Sequence, residues 1–269
     1  MNRKSVFHWI LLFLSSIVLL FILAPLIGLV LDTSGTEFFD TVADKEVQRS
    51  VWLTLSVAFV TTMVFAIGAV PLAWLMARSK FPGKRIIQGL IDLPIVLPHS
   101  AAGIALLGFI SRDGLLGKAA DSVGLSLVGN QLGIALAMAF VSLSFLINSA
   151  RDGFAAVPER LEKAALNLGA SPLKMFFTVS LPLSWRNVAS GFVMMFARGM
   201  SEFGAIVIIA YHPMTAPVLI YERFNQFGIN YARPASLLFI LVALVVFIGL
   251  RMISMKSTSL YGPDRKGEK

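Results

Sequence analysis

Cysteine is absent from the chain, and that absence removes disulfides, cysteine-based metal sites and a thiol nucleophile together. It leaves the redox compartment open. Charge is also scarce: Asp, Glu, Lys and Arg make up 14% of the 269 residues, against roughly 25% in an average soluble domain. So few charges do not cover a globular surface, and much of the exterior is expected to face a lipid bilayer. Histidine occurs only as His8, His99 and His212, too scattered for a metal centre. There is no H-E-x-x-H and no G-x-S-x-G, and the few charges within apolar segments do not form an acid, base and nucleophile set, so an enzyme is not expected. The net charge of +8 would suit nucleic acid. The basic residues instead fall in short clusters between apolar runs, which speaks for membrane orientation and against a nucleic-acid partner.

What the sequence has is apolar length. A helix needs roughly 20 apolar residues to cross the hydrocarbon layer, where only a helix or a closed barrel satisfies its own backbone. Residues 9–31 form such a run, read as a retained first helix rather than a cleaved signal, since no small-x-small site follows it directly. Further spans are expected over 50–77, over 86–110 with Asp92 and two prolines inside, within 122–150 from near Asn130, over about 185–211 and over about 234–255. The expectation is an all-α integral membrane protein of about six transmembrane helices. Alternating the loops puts Arg3, Lys4, Arg78, Lys80, Lys84, Arg85, Arg151, Arg160, Lys163, Lys174 and the C-terminal cations on one side. The other side receives Lys45, Arg49, Arg112, Lys118, Arg223 and Arg233. The positive-inside rule then places both termini in the cytoplasm. Residues 36–49 read as an outer, interfacial segment and 256–269 as a mobile cytoplasmic tail. A membrane domain over 49–255 follows an N-terminal helix and external segment over 1–48.

The loop between the fourth and fifth spans carries the most information. Pro158 suits the first position of a helix, Glu159 and Glu162 complement its N-terminal dipole, and Gly169 is a C-terminal stop. Ser171 and Pro172 open a second helix at once, which makes a sharp elbow. Small Ala164 and Ala165 permit close approach by another surface, and Leu161, Leu166 and Leu168 offer apolar contacts. By itself this is either a docking element or an ordinary amphipathic loop helix.

The segment resembles the cytoplasmic signature of ABC importer permeases: Glu-Ala-Ala, three residues, Gly, nine residues, an aliphatic residue, one residue, Leu-Pro. Ala164, Ala165, Gly169, Val179, Leu181 and Pro182 fall at that spacing. Lys163 stands where the signature has Glu, with Glu162 one place earlier. The resemblance implies a type I ABC importer permease fold (MetI-like) and a coupling helix over about 158–169. It implies two permease copies forming one pathway, two ATP-binding cassette ATPase subunits and an extracytoplasmic binding protein. Glu159, Glu162, Lys163, Ala164, Ala165, Gly169, Leu181 and Pro182 would then form the coupling region. The chain has no complete phosphate loop of its own: Gly114 Leu115 Leu116 Gly117 Lys118 Ala119 lacks the four-residue gap and the Ser or Thr. No cofactor is expected in this chain, and ATP and Mg belong to the partner ATPase. A secondary transporter could use the same spans, but the loop signature and the lack of an evident inverted repeat speak against it.

Two further stretches resemble permeases for molybdate and tungstate, to which sulfate permeases are close relatives. They are Phe81 Pro82 Gly83 Lys84 with residues 91–103, and residues 197–205. Read physically, Pro94 and Pro98 remove backbone donors and are expected to interrupt the third span. A helix restarting at Pro98 would turn the N–H groups of His99, Ser100 and Ala101 inward at a positive dipole end, a way-station for a dianion. The alternative is a kink that only shapes packing. Arg198 and Glu202 are four apart on the fifth span and are expected to pair, with Asp92 as another partner, either as a gate or as a static ion pair. Gly191, Gly199 and Gly204 would allow close helix approach.

Overall fold

The computed structural model describes residues 3–256, which are helical with no strand among them. The expected tail over 256–269 lies, past its first residue, outside the described residues. Helix α1 (Arg3–Leu31) meets the rest of the described residues mainly along α13 and has no buried residue over its apolar length. Helix α2 (Gly35–Ala43) opens with a capping box, Ser34 Oγ accepting from Glu37 N and Glu37 reaching back to Ser34 N. Asp44 then caps the long α3 (Lys45–Arg78) through Glu46 N at 2.8 Å. The expected outer segment over 36–49 is therefore α2 followed by the first turn of α3.

Helices α4 (Lys84–Val96) and α5 (His99–Ile110) are bent by 115° at Leu97 and Pro98. The proline has no N–H to continue the first helix, and its carbonyl instead starts the second, accepting from Ala102 N at 2.9 Å. After the short α6 (Leu115–Asp121) comes α7 (Gln131–Ala156), whose Asn130 cap accepts from Leu132 N and Gly133 N. Next are α8 (Glu159–Asn167), α9 (Pro172–Met175), a π-helical turn over Phe176–Ser180, and α10 (Leu181–Met200). The described residues finish with α11 (Ile206–Ile209), α12 (Ala216–Phe227) and α13 (Ile229–Lys256).

Helix α7 is the centre of the bundle, flanked by α3 and α10. Where apolar surface is already matched by lipid, close backbone approach replaces the hydrophobic effect as the source of association. Small residues supply it here. A Cβ on Gly191 of α10 would stand 2.9 Å from Ser149 Cβ and 3.1 Å from Leu146 Cα, and one on Gly153 of α7 would stand 2.5 Å from Asn187 Cβ.

Four described helices are long and apolar enough to cross a membrane, and five if the bent α4–α5 pair counts as one span. The expected span over 185–211 differs in detail. It begins earlier, at Leu181, stops at Met200, and is too polar as a run because Arg186, Asn187 and Arg198 lie within it. Its continuation breaks because Glu202 folds back to take the N–H of Ala205 at 2.8 Å. The last span begins at Ile229 rather than Pro234.

Candidate coupling helix and translocation site

The loop segment forms the expected helix, with Pro158 just before its first turn rather than inside it. Glu159 and Glu162 both lie in that turn. Gly169 takes a left-handed conformation with φ of +85°, and Leu168 N and Ala170 N close on the carbonyls of Ala164 and Ala165 at 3.0 and 3.1 Å. Ser171 Oγ caps the next helix through Lys174 N, and Pro172 opens it. The outer surface of the elbow is unusually apolar: Leu168 is 89% exposed and Leu173 69%, beside exposed Leu161 and Ala164. Lys163 pairs with Glu159 at 3.0 Å on the exposed side, and this hydrogen bond, followed by the ammonium charge, lowers the Glu159 carboxyl from its ordinary value.

Glu162 points the other way. It is buried, with Arg78 Nε at 2.7 Å from Oε2 and Arg78 Nη2 at 3.0 Å from Oε1. Ser180 Oγ donates to Oε1 at 2.6 Å, and Trp74 Nε1 lies 3.4 Å from it. Burial alone would raise this carboxyl, but the Arg78 and Ser180 hydrogen bonds and the guanidinium charge together hold it below the ordinary carboxylate value. Leu181 and Pro182 lie outside the exposed face of α8 and govern the π turn. Pro182 has no N–H to offer, and Leu181 N reaches back five residues to Phe176 O.

A second polar cluster sits where the two interrupted helices meet. Glu202 is fully buried, and its Oε2 lies 2.7 Å from His99 Nδ1 and 3.0 Å from Arg198 Nη2. Arg198 Nη2 also stands within 2.9 Å of the His99 ring nitrogens. The inner carboxylate therefore holds two nitrogen-bearing side chains whose outer parts remain accessible, His99 at 47% and Arg198 at 22%. The contact is close because both backbones are bare. A Cβ on Gly204 would stand 2.7 Å from His99 Cβ, and one on Gly103 would stand 2.8 Å from Ala205 Cα. Pro98, His99 and Ser100 are exposed at the start of α5, and the N–H groups of His99, Ser100 and Ala101 precede the first helical bond.

Asp92 does not join this cluster, contrary to the expectation. It accepts from Gln88 Nε2 at 3.0 Å and Asn148 Nδ2 at 2.6 Å, and Gln88 donates in turn to Asn148 at 2.8 Å. The reason is geometric: Asp92 lies before the bend, where α4 packs on α7, whereas Arg198 and Glu202 lie beside the start of α5. His99 takes the place foreseen for Asp92.

Helices broken inside an apolar bundle, with polar ends converging, are an arrangement of membrane transport subunits. Residues 69–257 match the family described as binding-protein-dependent transport system inner membrane component. The chain belongs to this family. It is 40% identical to the molybdate/tungstate transport system permease protein WtpB of Pyrococcus abyssi, over 91% of this chain and 95% of that one. It is 33% identical to a probable sulfate transport system permease protein, cysT, of Chlorokybus atmophyticus, over 86% of this chain and 84% of that one. Its fold is that of the type I importer permeases. It superposes on a bacterial alginate ABC transporter in complex with an alginate-bound periplasmic protein with a TM-score of 0.76, at 17% identity, over 95% of this chain and 96% of that one. Against the MetNI methionine ABC transporter the TM-score is 0.62, at 14% identity, over 80% of this chain and 95% of that one.

Proposed function

We propose that this chain is the membrane-spanning permease subunit of an ATP-driven importer of molybdate or tungstate. Two copies enclose the pathway. Two ATP-binding cassette subunits supply the energy, with ATP and Mg bound to them and not to this chain, and an extracytoplasmic binding protein supplies the oxyanion. The permease itself carries out no hydrolysis. The observation that carries this reading is the exposed apolar elbow of α8 and α9 on a bundle whose other helices are apolar toward lipid. An apolar patch outside the lipid layer is a docking surface. Its basic neighbours Arg78, Lys80, Lys84 and Arg151 orient it, with both termini, toward the cytoplasm. The name of the Pyrococcus abyssi relative favours molybdate or tungstate over sulfate, since the sulfate relatives are less alike.

For the pathway, the accessible side of the His99, Ser100 and Arg198 cluster is the place where a dianion can exchange hydration for protein donors. Glu202 behind them fixes their geometry without facing the ion. Asp92, bound to Gln88 and Asn148, holds the bend. In proteoliposomes containing the permease, its ATPase and the binding protein, ATP-dependent uptake of molybdate and tungstate is expected. Uptake of sulfate alone would overturn the substrate assignment. Unchanged uptake by an Arg198→Gln, Glu202→Gln double variant would remove the cluster from the pathway.

A further inference from the structure

Glu162 belongs to the α8 turn that begins the docking elbow, yet its carboxylate is spent entirely within the chain. Its partners come from two other places. Trp74 and Arg78 lie in the last turns of α3, and Ser180 is the final residue of the π turn that leads into α10. Arg78 adds a third, donating from Nη2 to the carbonyl of Val157 at 2.9 Å, where α7 ends. One buried carboxylate and one guanidinium thus gather the ends of α3 and α7 and the starts of α8 and α10. Helices α3 and α7 terminate here and α8 begins, so only the run from α9 into α10 passes through as helix, and the ion pair ties the other three to it.

We propose that Glu162 is a positioning residue that makes the docking helix move as one body with α3 and α10, and that it works from behind the docking surface rather than by touching the ATPase. This rests on the reading of the chain as an ATP-driven permease. Two features support it. The pair is bidentate and shielded, so it resists both rotation and solvent competition. The exposed face of α8 meanwhile retains Arg160, Leu161 and Ala164 for the partner. Displacing α8 without displacing α3 would leave a carboxylate and a guanidinium unpaired in a shielded site, a cost that couples the two helices.

The absence of native cysteine allows a direct test. In the assembled transporter, Lys80→Cys and Asn167→Cys carry spin labels at exposed positions beyond α3 and at the end of α8. Their separation, measured by pulsed electron paramagnetic resonance, is expected to be narrow and the same without nucleotide and with ATP bound. A change of about one helical turn, ~5 Å, between those states in the otherwise unaltered protein would overturn the proposal. With Glu162→Gln added, the distribution is expected to broaden, and the ions taken up per ATP hydrolysed to fall roughly tenfold, the scale of losing a charge-assisted buried pair. Asp152→Asn, near the end of α7 but exposed, is expected to keep both readouts. An unaltered distribution and ratio in Glu162→Gln would equally overturn the proposal. Failure of the unsubstituted complex to take up oxyanion with ATP would instead sink the importer reading, while the distance measurement still decides whether α8 and α3 move together.

Discussion

Replacing Gly204 with alanine perturbs the joint between the interrupted helices at a single atom. The added Cβ would sit 2.7 Å from His99 Cβ and 3.4 Å from the His99 carbonyl carbon. Two carbons rest at about 3.5–4.0 Å, so the start of α5 and the turn after α10 must part by roughly 1 Å. The obstruction is another Cβ and backbone, not the far end of a flexible side chain, and it cannot swing aside. Overpacking of this kind costs about 1–3 kcal/mol. It also pulls His99 away from the Glu202 carboxylate. The comparison is Gly68→Ala on α3, where an added Cβ meets nothing within 4 Å and alanine improves helix propensity by up to about 1 kcal/mol. Thermal unfolding of the two purified variants in the same detergent, followed by tryptophan fluorescence, is expected to show Gly204→Ala below the parent and Gly68→Ala at or above it. If Gly204→Ala melts with Gly68→Ala, the close approach of these two backbones is not a feature of the folded protein.

Thr54→Val is expected to destabilise by about 1–3 kcal/mol, measured in the same melts, because the buried Thr54 Oγ1 accepts from Ala216 N at 2.8 Å and valine leaves that N–H unpaired. Glu202→Ala is expected to cost about 3–5 kcal/mol, since it strips the shielded partner from Arg198, and Arg198→Met added to it should restore part of the loss. Acidification supplies a third check. The Glu162 carboxyl is lowered in the folded protein, so its contribution is complete above the ordinary glutamate value of 4.5 and is lost as pH falls through the lowered value. Proteolysis within residues 158–171 is therefore expected to accelerate only below about pH 4.5, and the parent should lose its advantage over Glu162→Gln there.

The elbow was legible because its determinants are local. Pro158, Gly169, Ser171 and Pro172 set dihedral angles and caps over a few residues, and a spacing rule captures them. The inward turn of Glu162 was not, since it depends on Arg78 and Ser180 arriving from 84 and 18 residues away. In the sequence Arg78 reads only as a cation that orients the loops. The interruption at Pro98 was foreseen from the missing donor, but the partner of Arg198 and Glu202 was assigned to Asp92. Sequence spacing says that Asp92 and His99 share a span; it does not say that a 115° bend sends them to different neighbours. Helix α10 shows the remaining gap. Its polar residues defeat a hydropathy reading, and only packing against α7 through Gly191 and Gly199 explains its central position.

The π turn over Phe176–Ser180 sets the rotation of everything downstream. Helices α9 and α10 run on without a gap in the chain, and the extra residue between them advances the phase of α10 by ~100°, one residue's share of a 3.6-residue turn. Gly191 meets α7 and Arg198 meets His99 only in that phase. Deleting a single residue there would leave α10 the same length and composition while swinging its glycine face away from α7. The five residues beside the docking elbow act as the key signature for a helix whose functional end lies some twenty residues, ~30 Å, further along.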